Sequence, residues 1–160
     1  MKSVLISIFM LWTMVGQADP TPLKFSHTDS TQALPEKIWA VWTDVPQWHT
    51  WDKGLKKVVL SDSFHLNAKG FIYPDNGPKS KFIISELAPG KSYTFKTRIP
   101  FGWLYVTRKM VQKNGWTYFT HEVEFTSLLK SFFAKKLGAN YRSILPQVMQ
   151  EIKKQAEEKS

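Results

Sequence analysis

One apolar stripe near the C-terminal end limits what this chain can fold into. Between Leu128 and Glu158, the residues Leu129, Phe132, Phe133, Leu137, Tyr141, Ile144, Leu145, Val148, Met149, Ile152 and Ala156 recur at steps of three and four. That spacing predicts one long helix of about eight turns with a wide apolar face. Lys130, Lys135, Lys136, Arg142, Gln147, Lys153 and Lys154 fall on its other faces. Such a helix cannot bury its stripe alone, so the chain before it must supply a sheet large enough to wrap around it. Pro146 lies inside the stripe and removes a backbone donor. The apolar phase continues past it, so a kink is expected there and not a stop. Gly138 is a second soft point. The N-terminal half of the stripe, with Phe132, Phe133, Leu137 and Tyr141, is the part expected to line a cavity.

The upstream sequence offers the strands. Leu23 to Ala33 alternates Leu23, Phe25 and His27 against Lys24, Ser26 and Thr28, which predicts a first strand. Pro35 and Glu36 then fit a first helical turn, and Ile38, Trp39, Val41 and Trp42 form the apolar side of a short helix. Asp44 and Pro46 end it, and Gln47 to Asp52 predicts a second short helix or turn. Val58–Leu60, Phe71–Tyr73, Lys81–Leu87, Tyr93–Ile99, Trp103–Val111 and Trp116–Phe125 have strand character. The separators are turn chemistry: Asp75-Asn76-Gly77-Pro78, Pro89-Gly90, Pro100-Phe101-Gly102 and Asn114-Gly115. Connections this short make antiparallel neighbours, and Asn-Gly before Trp116 is a hairpin signal. The expected order is strand, two short helices, six antiparallel strands and a long closing helix, an α+β arrangement.

The first residues stand apart from this pattern. Lys2 precedes an apolar run of about a dozen residues from Val4 to Val15, and Gly16-Gln17-Ala18 places small residues where a signal peptidase cleaves. A secretory signal over residues 1–18 is expected, with one domain over 19–160 and a periplasmic or secreted destination. The run is short for a helix that must cross about 30 Å of hydrocarbon. Removing Lys2 leaves 21 basic against 13 acidic side chains, a net charge of +8. The chain has no Cys, which excludes disulfides, thiolate metal sites and a Cys nucleophile. Aromatic residues make up 14% of its 160 residues, so a disordered chain is excluded by composition. Basic and aromatic residues together would suit nucleic acid, but the export signal argues against that partner. A monomer is expected, with an anionic membrane surface as a further partner for the basic exterior.

The segment from Leu34 to Asp52 resembles the opening of the SRPBCC superfamily. That group includes START-like lipid-binding domains, birch-pollen-allergen-like proteins and polyketide cyclase/dehydrase-like proteins. The matching features are a helix ending in Asp44, then Trp48 and Trp51 spaced by three, with Asp52 following. Gly115 to His121 is similar to the family's last hairpin strand, and Phe133 to Glu157, with its Leu145-Pro146, is similar to its closing helix. The resemblance implies a helix-grip fold: a bent antiparallel sheet of about seven strands gripping the C-terminal helix, with the two short helices closing one end. It also implies an apolar cavity for a hydrophobic or lipid-like small molecule between sheet and helix, without a cofactor. Most members bind such ligands and a minority are enzymes, a division that fold alone does not decide.

The expected cavity set is Phe82, Ile84, Tyr93, Phe95, Leu104, Val106, Arg108, Phe119, His121 and Phe125 from the strands, with Phe133, Leu137 and Tyr141 from the helix. Two members are polar exceptions on apolar faces. His121 shares a strand face with Thr117, Phe119, Val123 and Phe125, and Arg108 shares one with Leu104, Val106 and Met110. Either suits the polar end of a ligand, Arg108 for a carboxylate. A core His bonded to a backbone carbonyl or a Tyr is the simpler account of His121. The strand of Arg108 is apolar on both faces, so its inward side is open at this stage. Trp48 and Trp51 are expected to staple the short helices over the cavity mouth, and Asp52 to cap a turn or pair with Lys53 at the surface. His27, His49 and His65 are too far apart in sequence for a metal site. No Gly-x-Ser-x-Gly, phosphate-binding Gly loop or carboxylate cluster is present. The expected function is therefore an exported binding protein for a hydrophobic or lipid-like molecule. The alternatives are a cyclase or dehydratase using His121 as an acid/base, with Tyr93 or Tyr141 beside it, and an envelope interaction protein with a filled core.

Overall fold

The computed structural model describes residues 23–126 and 128–158, with the backbone alone at positions 130, 133, 134 and 137. The expected signal segment lies outside the described residues. Seven strands run β1 (Lys24–Thr31), β2 (Leu55–Leu60), β3 (Lys69–Pro74), β4 (Ser80–Ala88), β5 (Ser92–Ile99), β6 (Gly102–Lys113) and β7 (Trp116–Phe125). They form one sheet in the order β1-β7-β6-β5-β4-β3-β2, and every neighbouring pair is antiparallel. From β2 to β7 each strand pairs with the next in sequence, as short turns require. β1 alone pairs across the whole chain, with β7.

The link from β1 to β2 therefore has to travel from one sheet edge to the other. It does so through α1 (Pro35–Thr43), a 3-10 turn (Val45–Gln47) and α2 (Trp48–Trp51). Pro35 opens α1 where a missing N–H costs nothing, and Glu36 favours the positive end of the helix dipole. Ile38, Val41 and Trp42 are its buried side. The 3-10 turn packs on β2 and α1 packs on the closing helix. The sheet curls with these helices across it.

The closing helix is made in two parts. α3 (Lys130–Phe133) leads through a π-helical turn (Ala134–Gly138) into α4 (Ala139–Glu158). The irregularity thus falls at Gly138, and α4 runs uninterrupted through an exposed Pro146. Gly138 packs tightly on the sheet: a Cβ there would lie 3.2 Å from the Phe125 ring and 3.4 Å from that of Phe25. A π turn at that point accommodates the contact without lifting the helix off the strands.

Leu145, Val148, Met149, Ile152 and Ala156 form the buried face of α4, at the spacing the stripe predicts. The first turns behave differently. Leu129 and Phe132 are exposed, which corrects the expectation that Phe132 lines a cavity. The side chains of Phe133 and Leu137 lie outside the described residues. Polar contacts pin the far end of α4. Thr31 donates to Glu157 at 2.7 Å, Gln150 donates to Asp29 at 2.7 Å and Gln155 donates to Thr50 at 2.9 Å. The grip is thus made from β1 on one side and α2 on the other.

Candidate functional site

Inside the grip, the strands present the residues that their two-residue period predicts. On β7, Thr117, Phe119, His121, Val123 and Phe125 are all buried, while Tyr118, Thr120, Glu122 and Glu124 are not. On β6, Val106 and Arg108 are buried, Leu104 and Met110 are partly so, and Lys109 is exposed. The inward side of β6 is therefore the side of Arg108. Phe82 and Ile84 of β4 and Tyr93 and Phe95 of β5 are buried on the same interior. Tyr141 of α4 faces it from the helix side, packed at 6.5 Å from the Phe25 ring.

Arg108 is the centre of this interior, 1% exposed. Its guanidinium carbon lies 4.4 Å from the Trp48 ring centre and 4.7 Å from that of Trp51. Tyr93 and Phe95 are each 5.5 Å away. The spacing of the two Trp residues produces this contact. Three residues apart on a single turn of helix, they project to the same side. Trp48 is held by its own N–H, which donates to the Trp42 carbonyl at 2.8 Å. Both indoles are buried, and Trp48 packs against Phe82, Tyr93 and Phe95 of the strands. Taking a guanidinium out of water costs several kcal/mol. Desolvated cation–π contacts return about 2 kcal/mol.

The hydrogen bonds of Arg108 run in two directions. Nη1 donates to the Tyr93 hydroxyl, which donates on to the Trp42 carbonyl at 3.2 Å. Nε points at His121 Nδ1 at 3.5 Å. Because Nδ1 then accepts, the proton of the neutral imidazole belongs on Nε2. Nε2 faces the Tyr141 hydroxyl at 3.5 Å, and Tyr141 donates to Asp52 Oδ2 at 2.8 Å. The other Asp52 oxygen accepts from the Gly54 N–H at 3.1 Å. The chain Arg108–His121–Tyr141–Asp52 thus runs from a cation to a carboxyl with every donor pointing the same way. Asp52 thus caps the turn after α2, as expected, but at 3% exposure it does so from the interior and not as a surface partner of Lys53.

Burial sets the protonation of these groups. It pushes His121 well below its ordinary value, and the Arg108 charge pushes the same way, so His121 is neutral. Burial also raises Asp52, against the lowering pull of the Tyr141 hydrogen bond, the Arg108 charge and the Gly54 N–H. Tyr93 is pushed up to about 12, chiefly by burial, and Tyr141 is raised well above its usual range by burial and by Asp52. Both phenols are therefore neutral donors. Two further donors, Trp42 Nε1 and Trp51 Nε1, are buried with no hydrogen-bond partner among the described residues.

The structure brings Arg108, His121, Tyr93 and Tyr141 into one network and surrounds it with Phe82, Ile84, Phe95, Val106, Phe119 and Phe125. Leu104 sits at its margin, partly buried. Sequence reasoning missed the part played by Trp48, Trp51 and Asp52. The available signal was a charge on an inward strand face, which needs aromatic or acidic partners elsewhere in the chain. An open cleft of about 840 Å³ lies away from this network, lined by residues 98–103 and Thr126.

A curled seven-stranded antiparallel sheet closed by a C-terminal helix, with two short helices after the first strand, is the helix-grip fold. Among solved structures it is similar to the Zhui aromatase/cyclase from Streptomyces sp. R1128, at 15% identity and a TM-score of 0.66 over 84% of this chain and 93% of that one. Norcoclaurine synthase from Thalictrum flavum matches at 13% identity and a TM-score of 0.62, over 82% of this chain and 84% of its own. Another structure of that enzyme holds dopamine and hydroxybenzaldehyde. Ara h 8.0201 matches at 8% identity and a TM-score of 0.60, over 81% and 96% of the two chains. At such identities the likeness is one of fold. No protein-family model matches the sequence, and no curated protein matches it.

Proposed function

We propose that this chain is an exported binding protein for a small hydrophobic, lipid-like molecule that carries an acidic or polar head, held between the sheet and the closing helix. The observation that carries this is Arg108. A buried guanidinium whose hydrogen-bond partners in the network are neutral, Tyr93 and His121, is suited to hold the oxygen of a ligand head group. The surrounding aromatic and aliphatic side chains suit an apolar tail. The buried N–H of Trp51, on the ring that covers Arg108, is a further donor for the same head. Ligand entry requires Trp48 and Trp51 to give way. The apolar run after Lys2 supports export.

The decisive measurement is native mass spectrometry of the chain from Asp19, purified without detergent and then extracted with solvent. A discrete extra mass that disappears on extraction, and that Arg108→Gln fails to retain, is the expected result. A clean mass, together with no binding of fatty acids or other amphipathic acids added in solution, would defeat the proposal.

Acid/base chemistry at His121 is less well served by the geometry. Nδ1 is approached by an Arg108 N–H and Nε2 carries the proton, so a general base there needs the network to open. Burial also makes the imidazole a weak base. The similarity in fold to an aromatase/cyclase keeps one assay worth making. Turnover of a poly-β-ketone substrate that His121→Ala abolishes would favour an enzyme over a binder.

A further inference from the structure

One end of the molecule carries large apolar side chains in water. Phe101, at the tip of the β5–β6 turn, is 72% exposed, Leu128 is 88% exposed and Phe132 is 56% exposed. They form one neighbourhood. The Leu128 N–H lies 3.4 Å from the Phe101 carbonyl, the Thr126 N–H donates to the Trp103 carbonyl at 2.9 Å, and Phe132 comes four residues after Leu128, in α3. Phe101 also has a φ of +60°, a conformation in which a Phe is strained and a Gly or Asn is not. A strained backbone that holds an aromatic ring out in water is accounted for by what the ring does there.

The rim of this patch is basic. Lys96 and Arg98 lie over the Trp103 ring at 4.9 and 4.7 Å, and Lys136 lies over the Phe132 ring at 5.6 Å. Lys135 is exposed beside Lys136 on the π turn. No Asp or Glu occurs in residues 96–103 or 126–136. An apolar tip, a Trp beside it and a collar of cations match the layers of an anionic bilayer surface: acyl chains, interface and head groups. We infer that this end docks on an anionic lipid membrane, with Phe101, Leu128 and Phe132 entering the interface and Lys96, Arg98, Lys135 and Lys136 meeting the head groups. The same end carries the start of the closing helix, so docking places that part of the grip against the source of a lipid-like ligand. That last consequence rests on the proposed function; the docking itself does not.

The test is co-sedimentation of the chain from Asp19 with vesicles of phosphatidylcholine, with and without phosphatidylglycerol. Binding is expected only to the anionic vesicles and should weaken by about tenfold or more at high salt. Phe101→Asn combined with Leu128→Ser should abolish it, with an unchanged far-ultraviolet spectrum and melting temperature. Lys96→Gln with Arg98→Gln should weaken it strongly, while Lys56→Gln with Lys57→Gln, on exposed positions of β2, should leave it intact. Equal losses from both Lys pairs would mean diffuse charge attraction and overturn the proposal. So would equal binding to neutral vesicles, absence of vesicle binding, or a lipid-free dimer that the Phe101→Asn and Leu128→Ser pair dissociates. Native mass spectrometry of the docking-deficient variant reads the interior separately: a retained ligand with lost docking separates the two proposals.

Discussion

His121 and Arg108 each carry a polar group into the interior, and each has a distinct energetic signature. The folded pKa of His121 lies well below the ordinary value of 6.5. Its contribution to stability is therefore fully present above pH 6.5, where folded and unfolded chains are both neutral at this residue. It is lost as the pH falls, because the unfolded chain takes up a proton that the folded one refuses. Asp52 works in the opposite direction. Its folded value is raised above 3.8, so its contribution is greatest below pH 3.8 and is lost as the pH rises through the folded value. Thermal melts across pH should show His121→Gln losing less stability than the parent protein between neutral and mildly acid pH. Asp52→Asn should gain most, relative to the parent, once the pH exceeds the folded value of Asp52.

Arg108 yields a second prediction at this scale. Arg108→Ala leaves a gap between two indoles and removes a donor from Tyr93, and should cost about 3–5 kcal/mol in urea denaturation. Arg108→Met keeps the length of the side chain and buries no charge, and should stay within about 1.5 kcal/mol of the parent. Equal losses in the two variants would mean that the charge itself stabilises the fold. The inward face of both residues was legible from the alternation of their strands. Their partners were not. Asp52 follows a Trp and precedes a Lys, a local context that suits a surface turn, and only the approach of Tyr141 from the closing helix makes it a buried acceptor.

Among the elements, the strands were the most legible because turn chemistry bounds them. Asn114 and Gly115 both take positive φ at the β6–β7 hairpin, as a tight turn between twisted strands requires. β3 shows what the sequence hid. A Cβ at Gly70 would lie 2.3 Å from the Val59 carbonyl and 2.4 Å from the Phe82 ring, so this strand passes where only Gly fits. Gly70→Ala should cost about 1–3 kcal/mol or more by equilibrium unfolding. On α4, Met149 is fully buried, and Met149→Ala should cost about 2–5 kcal/mol, while substitution of the exposed Gln147 by Ala should be close to neutral. The closing helix was legible as a helix, and Gly138 as a soft point in it, but not that the break would fall at Gly138 and spare Pro146. Pro146 is outside the contact and the chain passes through it, whereas Gly138 meets two Phe rings of the sheet and the backbone there becomes a π turn.

At the scale of the whole molecule, one core runs from Ile38 and Trp42 through the strands to Ile152 and Ala156. A single core of this size should unfold in one step, with Trp fluorescence and far-ultraviolet dichroism changing together in denaturant. A ligand that binds only the folded form should shift that transition. At about 100 times its dissociation constant it adds about 2.7 kcal/mol, so a thermal-shift screen of amphipathic acids reads the proposed function without an assay of activity.

The sequence by itself determined the parts and their order. Apolar period set strand against helix, turn residues set the hairpins, and an unpartnered stripe on the last helix required a sheet to enclose it. These are local or nearest-neighbour effects, and they are written within a few residues of where they act. The tertiary structure alone decided what meets what. β1 reaches β7 across the chain, α2 delivers two indoles to an arginine on β6, and α4 brings a tyrosine to Asp52. Those contacts join residues far apart in sequence, and their physics lies in burial and distance, which no local pattern records.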